Sequence, residues 1–170
     1  MVRLLLVIVI AIGGLRSAAA EQPPKVAVFD FELMDTSLEG EKRGPQADEQ
    51  ARLRTAAQQI RIGLADSGRF AVLDIAPVRA EAGKTNLQAC GGCDVDLAKT
   101  LGADLVITGV VHKVSTLILG MQIFVRDVRT GQLLAAVNAD FRGNTDESWS
   151  RTASYLLRNR LLAPNYGAPQ

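Results

Sequence analysis

Apolar and polar positions divide the chain into blocks of different period. Residues 25–31 (KVAVFDF) are dense in β-branched and aromatic types without alternation at the centre, the pattern of a strand covered on both faces. Residues 34–47 are polar, carry Gly40, Gly44 and Pro45, and read as a long mobile loop. From Asp48 the spacing becomes helical. Leu53, Ala56, Ala57, Ile60 and Leu64 share one stripe, and Ser67-Gly68 closes it. A short strand over 69–73 turns out through Asp74 to Pro77, and residues 78–89 fit a helical turn followed by a loop.

Asp94 then suits the N-cap of a short helix bearing Val95, Leu97, Ala98 and Leu101, stopped by Gly102. Three strands are predicted over 103–114, 117–128 and 132–141, the last two joined by a tight turn at Arg129-Thr-Gly131. Asn144, with Glu147 three residues later, reads as the cap of a final helix. That helix buries Trp149, Ala153, Leu156, Leu157 and Leu161 along one stripe. Residues 163–170, with two prolines and a glycine, form a frayed tail. The order predicts an α/β fold: a single mixed sheet of about five strands, with a three-stranded antiparallel meander and helices packed on it. One domain over 21–162 accounts for it.

The first twenty residues follow a different logic. Arg3 precedes an unbroken apolar run from Leu4 to Ile12, Gly13-Gly14 loosens it, and Ala18-Ala-Ala20 supplies a small-residue cleavage pattern before Glu21. This is the layout of a cleavable secretory signal peptide. The run is too short and too interrupted to span a bilayer, which takes about 20 apolar residues. Retention as an uncleaved anchor is the alternative. The expected address is the periplasm, with no membrane span after cleavage.

Composition sharpens that reading. The 170 residues include 19 basic and 18 acidic side chains, for a formal charge of +1. Cleavage removes Arg3 and Arg16, two of those 19 basic residues, and leaves a net charge of −1. A near-neutral chain with 5% aromatic residues has neither the basic face nor the stacking platforms of a nucleic-acid binder. A single histidine, His112, excludes a multi-histidine metal centre.

Several short motifs resemble known envelope proteins. Gly63-Leu-Ala-Asp-Ser-Gly-Arg-Phe70, Leu101-Gly-Ala-Asp-Leu-Val-Ile-Thr-Gly109 and Phe124-Val-Arg-Asp-Val-Arg-Thr-Gly131 are similar to steps of the amino-terminal domain of the periplasmic TolB family. Val26-Ala-Val-Phe-Asp-Phe31 resembles the opening strand of that domain and of the curli-secretion lipoprotein CsgG. The likeness spans roughly residues 25–162. The CGGC segment at 90–93 and the GNTDESW segment at 143–149 also resemble those of small, uncharacterised exported proteins of methylotrophic and related proteobacteria. These resemblances imply a TolB amino-terminal-like fold and a periplasmic address. They imply no catalytic residue.

Cys90-Gly-Gly-Cys93 is the most chemical feature. In an oxidising compartment two cysteines at this spacing form a disulfide, and the intervening glycines permit the tight ring. A redox dithiol at a helix start is the sharper alternative. A metal site would need two further ligands, with His112, Asp94 and Asp96 the candidates; no metal or cofactor is expected. Asp30 and Glu32 lie near the carboxyl end of the first strand, where ligands of α/β sheets tend to bind. The loop carrying Asp35 is placed to close over them, and the pair would suit a cation or an amine. Trp149 is either a core residue behind a helix cap or the aromatic anchor of a surface epitope. No phosphate loop, nucleophile elbow or zinc motif occurs. The function expected is therefore a non-enzymatic periplasmic binding or assembly module. Its partner is an envelope protein or a small ligand, met through a sheet edge or the first loop. The alternative is a periplasmic thiol-redox or assembly accessory acting through Cys90 and Cys93.

Overall fold

The computed structural model describes residues 22–163. The export segment expected over 1–20 lies outside the described residues, as does the tail from 164 onward. Within them, six strands form one mixed sheet with helices on both faces. β1 (Lys25–Val28) and β2 (Glu32–Asp35) run parallel to successive stretches of β4 (Leu105–Lys113). β3 (Ala71–Val72) pairs parallel with the other side of β1. β5 (Ile118–Asp127) and β6 (Leu133–Arg142) complete an antiparallel meander, and the path across the sheet is β3-β1-β4-β5-β6.

The single opening strand expected over 25–31 is two. The backbone leaves the ladder between Phe29 and Phe31 and rejoins β4 as β2. The Phe31 ring lies directly over Gly109 of β4, so close that a Cβ on Gly109 would stand 2.5 Å from it. Any side chain there would meet a buried ring, which is why glycine interrupts an otherwise Val- and Ile-rich strand.

The polar stretch over 34–47 is ordered, contrary to its reading as a mobile loop. It holds the end of β2, the short helix α1 (Leu38–Arg43) and the start of α2 (Ala47–Asp66). Asp35 Oδ1 accepts from both the N–H and the hydroxyl of Ser37, and Ser37 Oγ accepts from the N–H of Gly40 at the start of α1. Side chains that mark a loop by composition here satisfy backbone donors at a helix start.

α2, α5 (Asp146–Leu156) and the π-helical turn that continues α5 (Leu157–Leu161) pack on one face of the sheet. They enclose Val26, Val28, Ile107, Val111, Met121, Ile123, Ile60 and Trp149. α3 (Ala76–Ala82) and α4 (Cys93–Thr100) lie on the other face over Ala27, Phe29 and Val106. Two helix starts differ from expectation. Thr145 rather than Asn144 caps α5, in a reciprocal box with Ser148 rather than Glu147. Asn144 is spent elsewhere: its amide oxygen accepts from Trp149 Nε1 at 2.9 Å and its Nδ2 donates to Glu49 at 2.6 Å. α4 starts at Cys93 after Gly92, whose φ of 117° makes the turn, and Asp94 is buried in the first turn against Arg126.

Candidate functional site

β3 is only two residues long, and its brevity leaves a concavity at the edge of the sheet. It pairs with Lys25 and Val26, and beyond them the outer edge of β1 and β2 has no strand neighbour among the described residues. α2 and α3 flank that edge from opposite faces and leave a slot of about 330 Å³ between them. An unpaired buried carbonyl on a strand edge is costly. Arg61, on the inward side of α2, supplies the missing donor: its Nε donates to the Val28 carbonyl at 2.9 Å. The same guanidinium donates through Nη2 to Asp30 Oδ1 at 2.6 Å, and Arg79 of α3 approaches Asp30 Oδ2 at 3.3 Å. Asp30 therefore sits between two cations contributed by helices on opposite faces.

Glu32 borders the same slot. One of its carboxylate oxygens accepts from the N–H of Leu87 at 2.8 Å, while Oε2 is buried without a hydrogen-bond partner. Burial pushes its carboxyl pKa up, and this outweighs the hydrogen bonds from the Leu87–Gln88 segment that favour ionisation. Asp30 and Glu32 thus come together at one cavity. Asp35 does not join them, because β2 carries it onward to a separate cluster.

That cluster surrounds Lys113, whose side chain is 0% exposed. Its Nζ lies 2.6 Å from Glu49, 3.2 Å from Asp35 and 3.2 Å from Glu39. Burial opposes its charge, but the three carboxylates outweigh this and raise its pKa above the ordinary lysine value. Burial likewise disfavours ionised Asp35; the bonds from Ser37 and Lys113 prevail and hold its carboxyl below the usual range. Through Glu49 and Asn144 the cluster reaches Trp149, which is 2% exposed and meets Phe141 edge-on at 6.0 Å. These contacts clamp α1, α2 and α5 to the end of β4.

Cys90 and Cys93 are joined, with Cα atoms 5.7 Å apart, and no cysteine is free. The half-buried His112 places Nε2 3.1 Å from Thr36 Oγ1. Among the described residues no group of three or more His, Cys, Asp or Glu is gathered to hold a metal, and no helix is long and apolar enough to cross a membrane.

Sequence reasoning missed Arg61, Arg79 and Lys113. For two of them a signal was present. Arg61 follows Ile60 within the apolar stripe of α2, and Lys113 occupies the same strand face as Val111. A charge at an inward-facing position needs a buried partner.

A family model described as "Protein of unknown function (DUF2380)" matches residues 24–161. The chain belongs to this family. No curated protein matches it. Among solved structures, this family member is similar to the LpoB C-terminal domain from Salmonella enterica, with 14% identity over 74% of this chain and 87% of that one, and a TM-score of 0.47. It is similar to the lipoprotein GNA1162 from Neisseria meningitidis at 19% identity, covering 74% and 85% of the two chains with a TM-score of 0.48. TolB from Acinetobacter baumannii matches at 15% identity over 81% of this chain and 28% of that one, with a TM-score of 0.46.

A second feature of this family member is an omission on the α3–α4 face. Those helices cover β1, the start of β4 and, through Asp94 against Arg126, the last residues of β5, but leave the rest of β5 and all of β6 uncovered. The register places Phe124 beside Ala136, Gln122 beside Asn138 and Gly120 beside Asp140 on the uncovered side. Leu134 is 42% exposed there and Met34 50%. β6 is also the outer strand, with no second neighbour among the described residues.

Proposed function

We propose that the chain is a non-enzymatic envelope module that holds a protein partner against the uncovered half of its sheet, with an extended segment of that partner adding to the open edge of β6. The carrying observation is the ten-residue edge strand beside a helix-free sheet face. An outer strand offers unpaired N–H and C=O groups to another chain, and neighbouring apolar side chains give the contact specificity. Asp140 and Arg142 stand on the same exposed face, so a partner strand bearing opposite charges in alternation fits it.

The periplasm is the proposed compartment, as the signal-like start from Arg3 to Ala20 and the joined Cys90–Cys93 pair support. The test is a photo-crosslinking residue introduced in cells at Leu134 or Asn138, with exposed Lys99 of α4 as the control position. One adduct of defined size from the β6 positions, absent at Lys99, is the expected result. Equal labelling at all three, or none at β6, overturns the reading. Amino-terminal sequencing of the protein released by osmotic shock should begin at Glu21; a protein that stays inside the cell overturns the compartment. A Cys90→Ser/Cys93→Ser variant should keep the β6 adduct, because the proposed contact uses no thiol chemistry.

A further inference from the structure

The slot beside β1 opens onto a second cavity, and the chemistry of their junction defines a ligand. The inner slot of about 330 Å³ is walled by Phe29, Phe31, Leu53, Ile75 and Leu87. The outer cavity, about 700 Å³, lies along the exposed side of α2 beside Ile62 and Leu157. Asp30, Arg54 and Arg79 belong to both. The inner volume falls at the lower end of small-molecule pockets, which run from roughly 300 to 1,000 Å³ and combine apolar walls with a few converging polar groups.

The charges at the mouth do not cancel. Asp30 brings one negative charge and already faces both Arg61 and Arg79. Arg54 is exposed and pairs with no acidic side chain among the described residues. The guanidinium groups of Arg54, Arg61 and Arg79 outnumber the carboxylates of Asp30 and Glu32 and leave an excess of positive charge around the slot. Glu32, the other acid of the inner slot, has one oxygen committed to the Leu87 N–H. A cation would compete with two arginines for Asp30, whereas an anion finds donors free. Guanidinium groups also match carboxylate geometry in a two-point contact.

We infer that the slot binds a small organic carboxylate, its apolar body among Phe29, Ile75 and Leu87 and its carboxylate at the mouth between Arg54 and Arg79. This site is on the opposite edge of the sheet from β6, and its occupancy stands or falls independently of a protein partner there.

The matched probes are 4-phenylbutyrate and the neutral 4-phenyl-1-butanol, titrated into the full exported protein and followed by amide chemical shifts. Phenylbutyrate should shift the amides of Phe29, Ile75 and Leu87 and bind at least tenfold more tightly than the alcohol. Arg54→Gln and Arg79→Gln should each weaken phenylbutyrate about tenfold, the loss of one charge-assisted contact, while leaving the alcohol unchanged. Both arginines are largely solvent-exposed, Arg79 by 53%, so the folded spectrum should persist in each variant. Equal weakening of both probes, or no shift of slot amides at millimolar phenylbutyrate, overturns the assignment.

Discussion

The two halves of the sheet are built from similar strands and treated in opposite ways. In β1, Val26, Ala27 and Val28 are all fully buried, and Phe29 just beyond is too, because α2 lies over one face and α3 and α4 over the other. In β6 only Val137 is buried, and the residues alternate between a covered face and an open one. The covered half holds the chain together and leaves a slot at the edge where β3 ends early. The open half contributes only one face to the core, which leaves the other, with its strand edge, available. Burial and availability are thus divided along the sheet.

The largest expected effect tests that division directly. Phe29→Ala removes a ring that is fully buried, and such truncations cost about 3–5 kcal/mol. Leu134→Ala on the open face should fall within about 0.5 kcal/mol, as surface substitutions do. Urea unfolding of the two variants beside the parent measures both. Comparable losses would break the comparison, since they would mean that the open face is covered in solution.

Much of this division is written in local pattern. The unbroken apolar run of β1 and the alternation of β6 are the signatures of two-sided and one-sided burial, and both are visible in the sequence. The stripe of α2 and the Trp149 stripe of α5 are equally plain. Legibility fails where a side chain acts across a long separation. Asp35 and Ser37 read as loop residues because Lys113, 78 positions beyond Asp35, is not visible as their neighbour. Asn144 reads as a cap because Glu49, 95 positions away, claims its amide only in the fold. The break between β1 and β2 depends on Phe31 meeting Gly109, a contact that no periodicity encodes. For the slot, Asp30 and Glu32 were legible as neighbours on a strand end. The arginines that decide its charge arrive from two separate helices.

A smaller effect asks how firmly the cover on the α4 side is fastened. The Cys90–Cys93 bond closes a short ring at the start of α4, and closing so short a loop removes little freedom from the unfolded chain, worth about 2 kcal/mol. Cys90→Ser/Cys93→Ser should lower stability by no more than this. Hydrogen exchange should speed first in α4, with β5 and β6 protected as before. Uniform acceleration across the sheet would show instead that the two halves unfold as one unit.

The smallest expected effect lies at Glu32, where the cover of the α3 side gives out. Burial raises its carboxyl pKa in the folded protein above the ordinary value of 4.5, which the unfolded chain keeps. Between those two values the folded state binds more protons than the unfolded one, so stability falls as pH rises through that interval. Below it both states are protonated and the penalty is absent; above it the penalty is complete and constant. Glu32→Gln cannot ionise and can still accept from the Leu87 N–H through its amide oxygen. Urea midpoints from pH 4 to pH 7 should therefore show the parent losing stability relative to the variant across the interval, then running parallel to it. Asp35 contributes with the opposite sign: its folded pKa is depressed, so its contribution is present above the unfolded value and is lost as acid protonates it. That contribution is common to both proteins and cancels in their difference. A difference that does not change with pH would mean that Glu32 is as well solvated in the fold as in the unfolded chain, and that the cover ends before reaching it.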